Sequence, residues 1–317
     1  MANKASLFLV FKLIAVWFAL TVCYVAATFL SGLNRPIEPS PDSAAVAAAT
    51  PQDPGRLLGT LLFVCLLIAL VVSLIIVRSR GGGWKLVGAL FLAMYGVMTV
   101  ETQIETLIYL RDRMPPGLVA KLFLQGAIVA ALFVPVAVLI LGKMRSAEDA
   151  DAESWQPLRQ ISLRLLVTGA LYVILYFAFG YFVAWKNPAL REYYGGRDPG
   201  SFLAQVKSVW HSTAWMFPFQ LARGALWALF LLPLIRVMKR APLETMTAMA
   251  LFSSIWSCIL LFPNPLMPET VAHSHMVETF SSNLLFGAAI GLLFIPKLDS
   301  VPQPAHPMAS PSPGIGR

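Results

Sequence analysis

Charge is scarce in this chain. Acidic and basic residues together make up 13% of the sequence, against roughly 25% in an average soluble domain. That scarcity excludes an ordinary water-soluble globule. Cysteine is scarcer still. Cys23, Cys65 and Cys258 are the only three, each lies in an apolar run, and no two are closely spaced. This excludes a disulfide framework and any CxxC metal motif. No GxSxG elbow, HExxH pair, phosphate-binding glycine loop, haem motif or iron–sulfur motif occurs. No polar stretch is long enough to form a separate soluble module.

What fills the chain instead is hydrocarbon. Apolar residues are 57% of the total, and mean hydropathy is +0.70. They fall in runs of about 20 residues, the length at which a helix crosses a bilayer core about 30 Å thick. Eight spans are expected: Leu7–Leu30, Leu57–Val77, Trp84–Leu110, Val119–Gly142, Ile161–Trp185, Ser212–Met238, Thr245–Phe262 and His273–Ile295. The fold class is all-α, a polytopic transmembrane helix bundle. The first run exceeds the 7–15 residues of a signal-peptide core, so it reads as an uncleaved span.

One transmembrane domain accounts for residues 1–297. The stretch 31–56 is rich in Pro, Ala, Ser and Asp without apolar periodicity, which makes it a flexible loop. The longer outer loop, 186–211, combines charges with Tyr193 and Tyr194, as expected of a short helix with tyrosines at headgroup level. Trp84, Trp185, Trp210 and Trp215 lie near span ends, where an interfacial belt forms. Residues 298–317 form a Pro- and Ser-rich disordered tail.

The formal charge of +8 sits between the apolar runs. It therefore reads as a topology signal and a contact with lipid headgroups, not as a nucleic-acid surface. Alternate loops divide 14 Lys and Arg against 9, with Arg223 left inside a span. The bias places both termini in the cytoplasm. The short loops and the want of a large soluble module point to a bacterial inner membrane.

Polar residues inside the spans are few, and each costs about 2.5–3.5 kcal/mol when charged, so they mark packing devices or sites. The third span carries Glu101 and Glu105, four residues apart on one face. The sixth carries Gln220 and Arg223. The eighth carries His275, Glu278, Ser282 and Asn283 on one sector. All lie in the non-cytoplasmic halves. A polar pocket lined by the third, sixth and eighth spans, open to that face, would accommodate them together.

Arg223 and Glu101 sit at similar depth, so a structural ion pair is expected. Glu105 and Glu278 are then left without a buried cation. His275 stands three residues before Glu278, a spacing that can put both on one metal. Glu105, His275 and Glu278 are thus candidate ligands of a divalent metal. A faint echo also runs through three spans: Gly126-Ala127 before Pro135, Gly224-Ala225 before Pro233, and Gly287-Ala288 before Pro296. It reads either as duplication or as one packing solution reused.

Three functions stay open: a transporter or lipid-handling permease, an outer-leaflet intramembrane enzyme (a metal-assisted hydrolase or transferase), and a non-catalytic assembly or sensor protein. The expected partners are the lipid bilayer and a lipid or small-molecule substrate, with no nucleic acid.

Overall fold

A computed structural model describes residues 2–35, 53–111, 114–145, 157–238, 241–264 and 267–295. The tail expected over 298–317 and most of the loop over 31–56 lie outside these residues. Among the described residues, eight helices are long and apolar enough to cross a membrane, which makes the chain an integral, multi-pass membrane protein.

The helices are α1 (Ala2–Leu30), α2 (Pro54–Arg78), α3 (Gly83–Met94), α4 (Glu101–Tyr109), α5 (Leu118–Ile140), α6 (Leu158–Phe182), α7 (Pro188–Tyr193), α8 (Phe202–Ser212), α9 (Met216–Val237), α10 (Pro242–Ser254) and α11 (Glu269–Phe294). A π-helical turn, Tyr95–Val100, joins α3 to α4 into the third span. A 3-10 segment, Ile255–Leu261, continues α10 into the seventh. The spans match expectation to within a few residues. The second starts earlier because Asp53 caps it, accepting from Gly55 N at 2.9 Å, with Pro54 in the first turn. Residues 54–56, expected in the loop, are therefore helical. The sixth starts later, at Met216, because Ser212 closes α8, a helix that the apolar pattern does not announce.

Large apolar side chains such as Phe8, Phe18, Ile174 and Leu292 are exposed on the bundle exterior. In a bilayer these are lipid contacts rather than unfavourable surface.

Helix packing follows a repeated scheme. In the first half, the first span packs on the second and fourth, and the third packs on the fourth. In the second half, the fifth packs on the sixth and eighth, and the seventh on the eighth. Between halves, the third meets the sixth and the second meets the seventh. Advancing every span by four reproduces each of these pairings. At the centre, Ser79 and Met238, which follow the second and sixth spans, form an antiparallel bridge. Breaks from α geometry fall inside two equivalent spans, the third and the seventh, with a further 3-10 turn, Ala184–Lys186, closing the fifth. A repeat of four spans, related by an axis along the membrane normal, has this form.

The Gly-Ala echo now has a physical explanation. A Cβ on Gly126 would lie 1.9 Å from Thr99 Oγ1, and one on Gly287 would lie 2.3 Å from the Met249 carbonyl oxygen. Both glycines admit a neighbour where the fourth span crosses the third and where the eighth crosses the seventh. Those crossings are equivalent. Gly224 plays a similar part against Tyr172, 2.4 Å from a Cβ, but between the sixth and fifth spans. It belongs to a different position of the repeat.

The end carrying Ser79 and Met238 is basic. Lys143 Nζ donates to the Ser79 carbonyl at 2.8 Å, and Arg78 pairs with Glu244 at 2.9 Å across the second and seventh spans. The Arg78–Glu244 side chains are 49% and 36% exposed. Arg78→Ala should therefore lower unfolding stability in detergent by no more than about 1 kcal/mol.

Candidate functional site

The polar residues gather at the end opposite the basic one. The π-helical turn sets up the first part. There Glu101 N–H bonds the Gly96 carbonyl five residues back, and such a turn adds a residue and rotates the remainder of the helix. A Cβ on Gly96 would lie 2.2 Å from Phe230 Cγ. The third and sixth spans thus press together one turn before their charges meet.

Arg223 is held from several directions. Its Nε donates to Glu101 Oε2 at 3.1 Å, Nη1 to Gln220 Oε1 at 3.1 Å, and Nη2 to the Glu101 carbonyl at 3.3 Å. Nη1 also lies 3.5 Å from Glu105 Oε1. The guanidinium stands 5.6 Å from the Tyr172 ring centroid and 5.8 Å from that of Phe219. Gln220 Nε2 donates to Tyr109 Oη at 3.0 Å, and Tyr176 Oη donates to the same oxygen at 3.4 Å. Glu101, Gln220 and Arg223 are 1%, 0% and 3% exposed. This part is sealed, so Arg223 is closed to an incoming anion. Glu101 Oε1 has no hydrogen-bond partner among the described residues.

The second part is more open. His275 Nδ1 lies 3.0 Å from Glu278 Oε2, and His275 Nε2 lies 2.9 Å from Tyr194 Oη. The His275 side chain is 22% exposed and that of Glu278 12%. Tyr194 meets the imidazole edge-on, with ring centroids 5.5 Å apart. Asn187 caps α7 through Ala189 N, and its amide donates to Ser274 Oγ at 2.5 Å, tying the outer link to the eighth span. Ser282 Oγ returns to the Thr279 carbonyl at 3.3 Å. The Asn283 side chain is half-buried and makes no hydrogen bond among the described residues.

Several expectations change. The third, sixth and eighth spans do not line the site by themselves: the fifth joins them, placing Tyr172 and Tyr176 beside Arg223 and Tyr109. Glu105 does not lack a cation, because Arg223 reaches it as well as Glu101. Tyr194, expected only as a tyrosine at headgroup level, is also a partner of His275. Glu105, His275 and Glu278 do not converge as metal ligands. Glu105 is drawn to Arg223, while both nitrogens of His275 are engaged by Glu278 and Tyr194. Among the described residues, no three His, Cys, Asp or Glu side chains are placed to hold a metal ion.

Tyr109, Tyr176 and Tyr194 escape sequence reading because tyrosine is ordinary at membrane interfaces. Only the spacing of Tyr172 and Tyr176, one turn apart on one face, hints at a role.

Beside the site, a shallow cleft is lined by Arg56, Phe262, Asn264, Met267, Glu269 and His273. Arg56 and Glu269 pair across it. Compared with family models, curated proteins and solved structures, the chain matches none.

Proposed function

We propose that this protein is a membrane permease built from two four-span halves, with its polar site facing away from the cytoplasm. The observation that carries the reading is the repeated packing scheme with a charge-bearing seam between the third and sixth spans. Repeated bundles that rock about a midplane site are a recurrent transporter design.

The charges narrow the substrate class. Arg223 faces Glu101 and Glu105, and His275 faces Glu278. Even with His275 protonated, three carboxylates outnumber two cations. A region within the spans with surplus negative charge suits a proton, a small cation or an organic amine, and repels a phosphate or carboxylate. The basic end faces the cytoplasm in this reading, as the positive-inside bias requires. A bacterial inner membrane suits that orientation.

The alternative is an outer-leaflet enzyme, favoured by one feature: Tyr194, His275 and Glu278 stand as a hydroxyl, a base and the group that orients it.

A permease must open its basic end at some point. Leu234 is fully buried and lies one turn beyond Phe230, which packs on Gly96 at the seam. Leu20 is equally buried but sits on the first span, whose main neighbours are the second and fourth. In a chain with its three cysteines replaced by alanine, Leu234→Cys should react with a membrane-impermeant maleimide from the basic side. Leu20→Cys should stay protected. Equal protection of both would remove the permease reading and leave a static assembly protein or an enzyme.

A further inference from the structure

We infer that Tyr194, His275 and Glu278 form a proton-binding site reached from the outer face. The site deepens the permease reading and rests on it for what the proton does, though not for its binding.

The geometry keeps every hydrogen bond in both charge states. When His275 is neutral with its proton on Nδ1, Nδ1–H donates to Glu278 Oε2 at 3.0 Å and Tyr194 O–H donates to Nε2 at 2.9 Å. A proton arriving from water on Nε2 reverses only the second bond. Nε2–H then donates to the Tyr194 oxygen, and the hydroxyl hydrogen turns outward. Imidazole can make this change because each nitrogen serves as donor or acceptor, and a hydroxyl does both. No covalent bond other than N–H forms, and a hydronium ion gives up the proton. A histidine serving only as packing needs one fixed partner; this one has two, each suited to both states.

The surrounding groups hold the pair in place and set its charge balance. On its own helix Glu278 is the direct partner; His273 and Glu269 lie further out, 4.0 Å from one another. From the link after the fifth span comes Tyr194, braced edge-on by Tyr193 at 5.0 Å. Arg191 in that link is turned to the Trp185 carbonyl at 2.5 Å and to Asp198 at 3.6 Å. Lys186 is turned over the Tyr181 ring at 4.3 Å. The fifth span presents Tyr172 and Tyr176, and a Cβ on Gly180 would lie 3.9 Å from Glu278 Oε1. Glu105 on the third span lies 3.5 Å from Arg223 Nη1. Arg223 on the sixth is occupied by Glu101, Gln220 and Glu105. The seventh span brings Cys258 and, at the opposite end, Glu244. Arg191, Lys186 and Arg223 are thus already engaged, and the negative charge that meets His275 is that of Glu278.

Access is direct. His275 is six residues into α11, about 9 Å along the helix from its start, and its side chain is 22% exposed. A proton from the outer face has no sealed layer to cross, unlike at Glu101.

The chain has four histidines, so ¹⁵N-histidine labelling gives a readable spectrum. The protein should be placed in nanodiscs of phosphatidylcholine and phosphatidylglycerol and titrated from acid to neutral pH. The His275 signal, identified by its loss in His275→Gln, should change protonation state within that range. Glu278→Gln, which keeps the shape of the side chain, should move the midpoint by about one pH unit or more. A His275 signal that stays neutral throughout, or a midpoint that Glu278→Gln leaves in place, would overturn the proton site. The maleimide experiment on Leu234→Cys fails independently. A titrating His275 beside a seam that never opens would keep the proton site and remove the permease.

Discussion

Arg223→Leu is expected to cost about 3–5 kcal/mol of stability, the range for leaving a buried charge without its partner. The arginine is 3% exposed and holds Glu101, Gln220 and Glu105 together. Removing it strands Glu101, which is 1% exposed and already has one oxygen without a partner among the described residues. The measurement is the yield of monodisperse protein after extraction in mild detergent, followed by thermal unfolding. Adding Glu101→Gln should recover much of the loss, because it removes the stranded charge while keeping an amide for hydrogen bonding. Glu105→Gln alone should cost far less. Its side chain is 41% exposed, and water can solvate it. If Arg223→Leu alone behaves like wild type, the pair does not lock the third span to the sixth.

Gly287→Leu should be nearly as damaging. The obstacle to a Cβ there is the Met249 carbonyl oxygen at 2.3 Å, with Ser253 Oγ at 2.6 Å. Backbone cannot step aside as a flexible side chain does, so the eighth span must move off the seventh. Overpacking of this kind costs typically about 1–3 kcal/mol and more when helices separate. Gly88 is the control. It is exposed within α3, and nothing lies within 4 Å of an added Cβ. Gly88→Ala should leave stability unchanged or raise it by up to about 1 kcal/mol through helix propensity. Equal effects of the two substitutions in thermal unfolding would contradict the close crossing of the seventh and eighth spans.

The spans were legible in the sequence because crossing a bilayer fixes both length and composition. Charges inside them were legible for the same reason: Glu101 and Arg223 stand out against hydrocarbon, and opposite charges at one depth attract. His275 and Glu278 were legible as a pair because helix geometry alone brings residues three apart together. What the sequence hides is whatever depends on which helices are neighbours. The fifth span shows no charge in its core, so nothing marks it as a wall of the site until Gly169 and Gly224 let it approach the sixth. Tyr194 shows its contact with His275 only once the outer link folds back over the eighth span. The metal triad failed because it assumed that Arg223 would be satisfied by Glu101 alone. The repeat was nearly invisible because equivalent spans need only match in size at their crossings. Gly126 and Gly287 preserve that match, while Gly224 imitates it elsewhere.

The most direct measurement of the two-half design is a distance across the basic end. Trp84 and Leu243 begin the third and seventh spans and are 72% and 70% exposed. They occupy equivalent places in the repeat, each the second residue of its helix. Nitroxides on Trp84→Cys and Leu243→Cys, in the chain with its own cysteines replaced, report that distance by pulsed electron resonance in nanodiscs. Two populations are expected, one matching the closed structure and one longer, with their ratio changing between acid and neutral pH. A single narrow distance that pH leaves unchanged would mean that the halves do not move against each other, and the permease reading would fall.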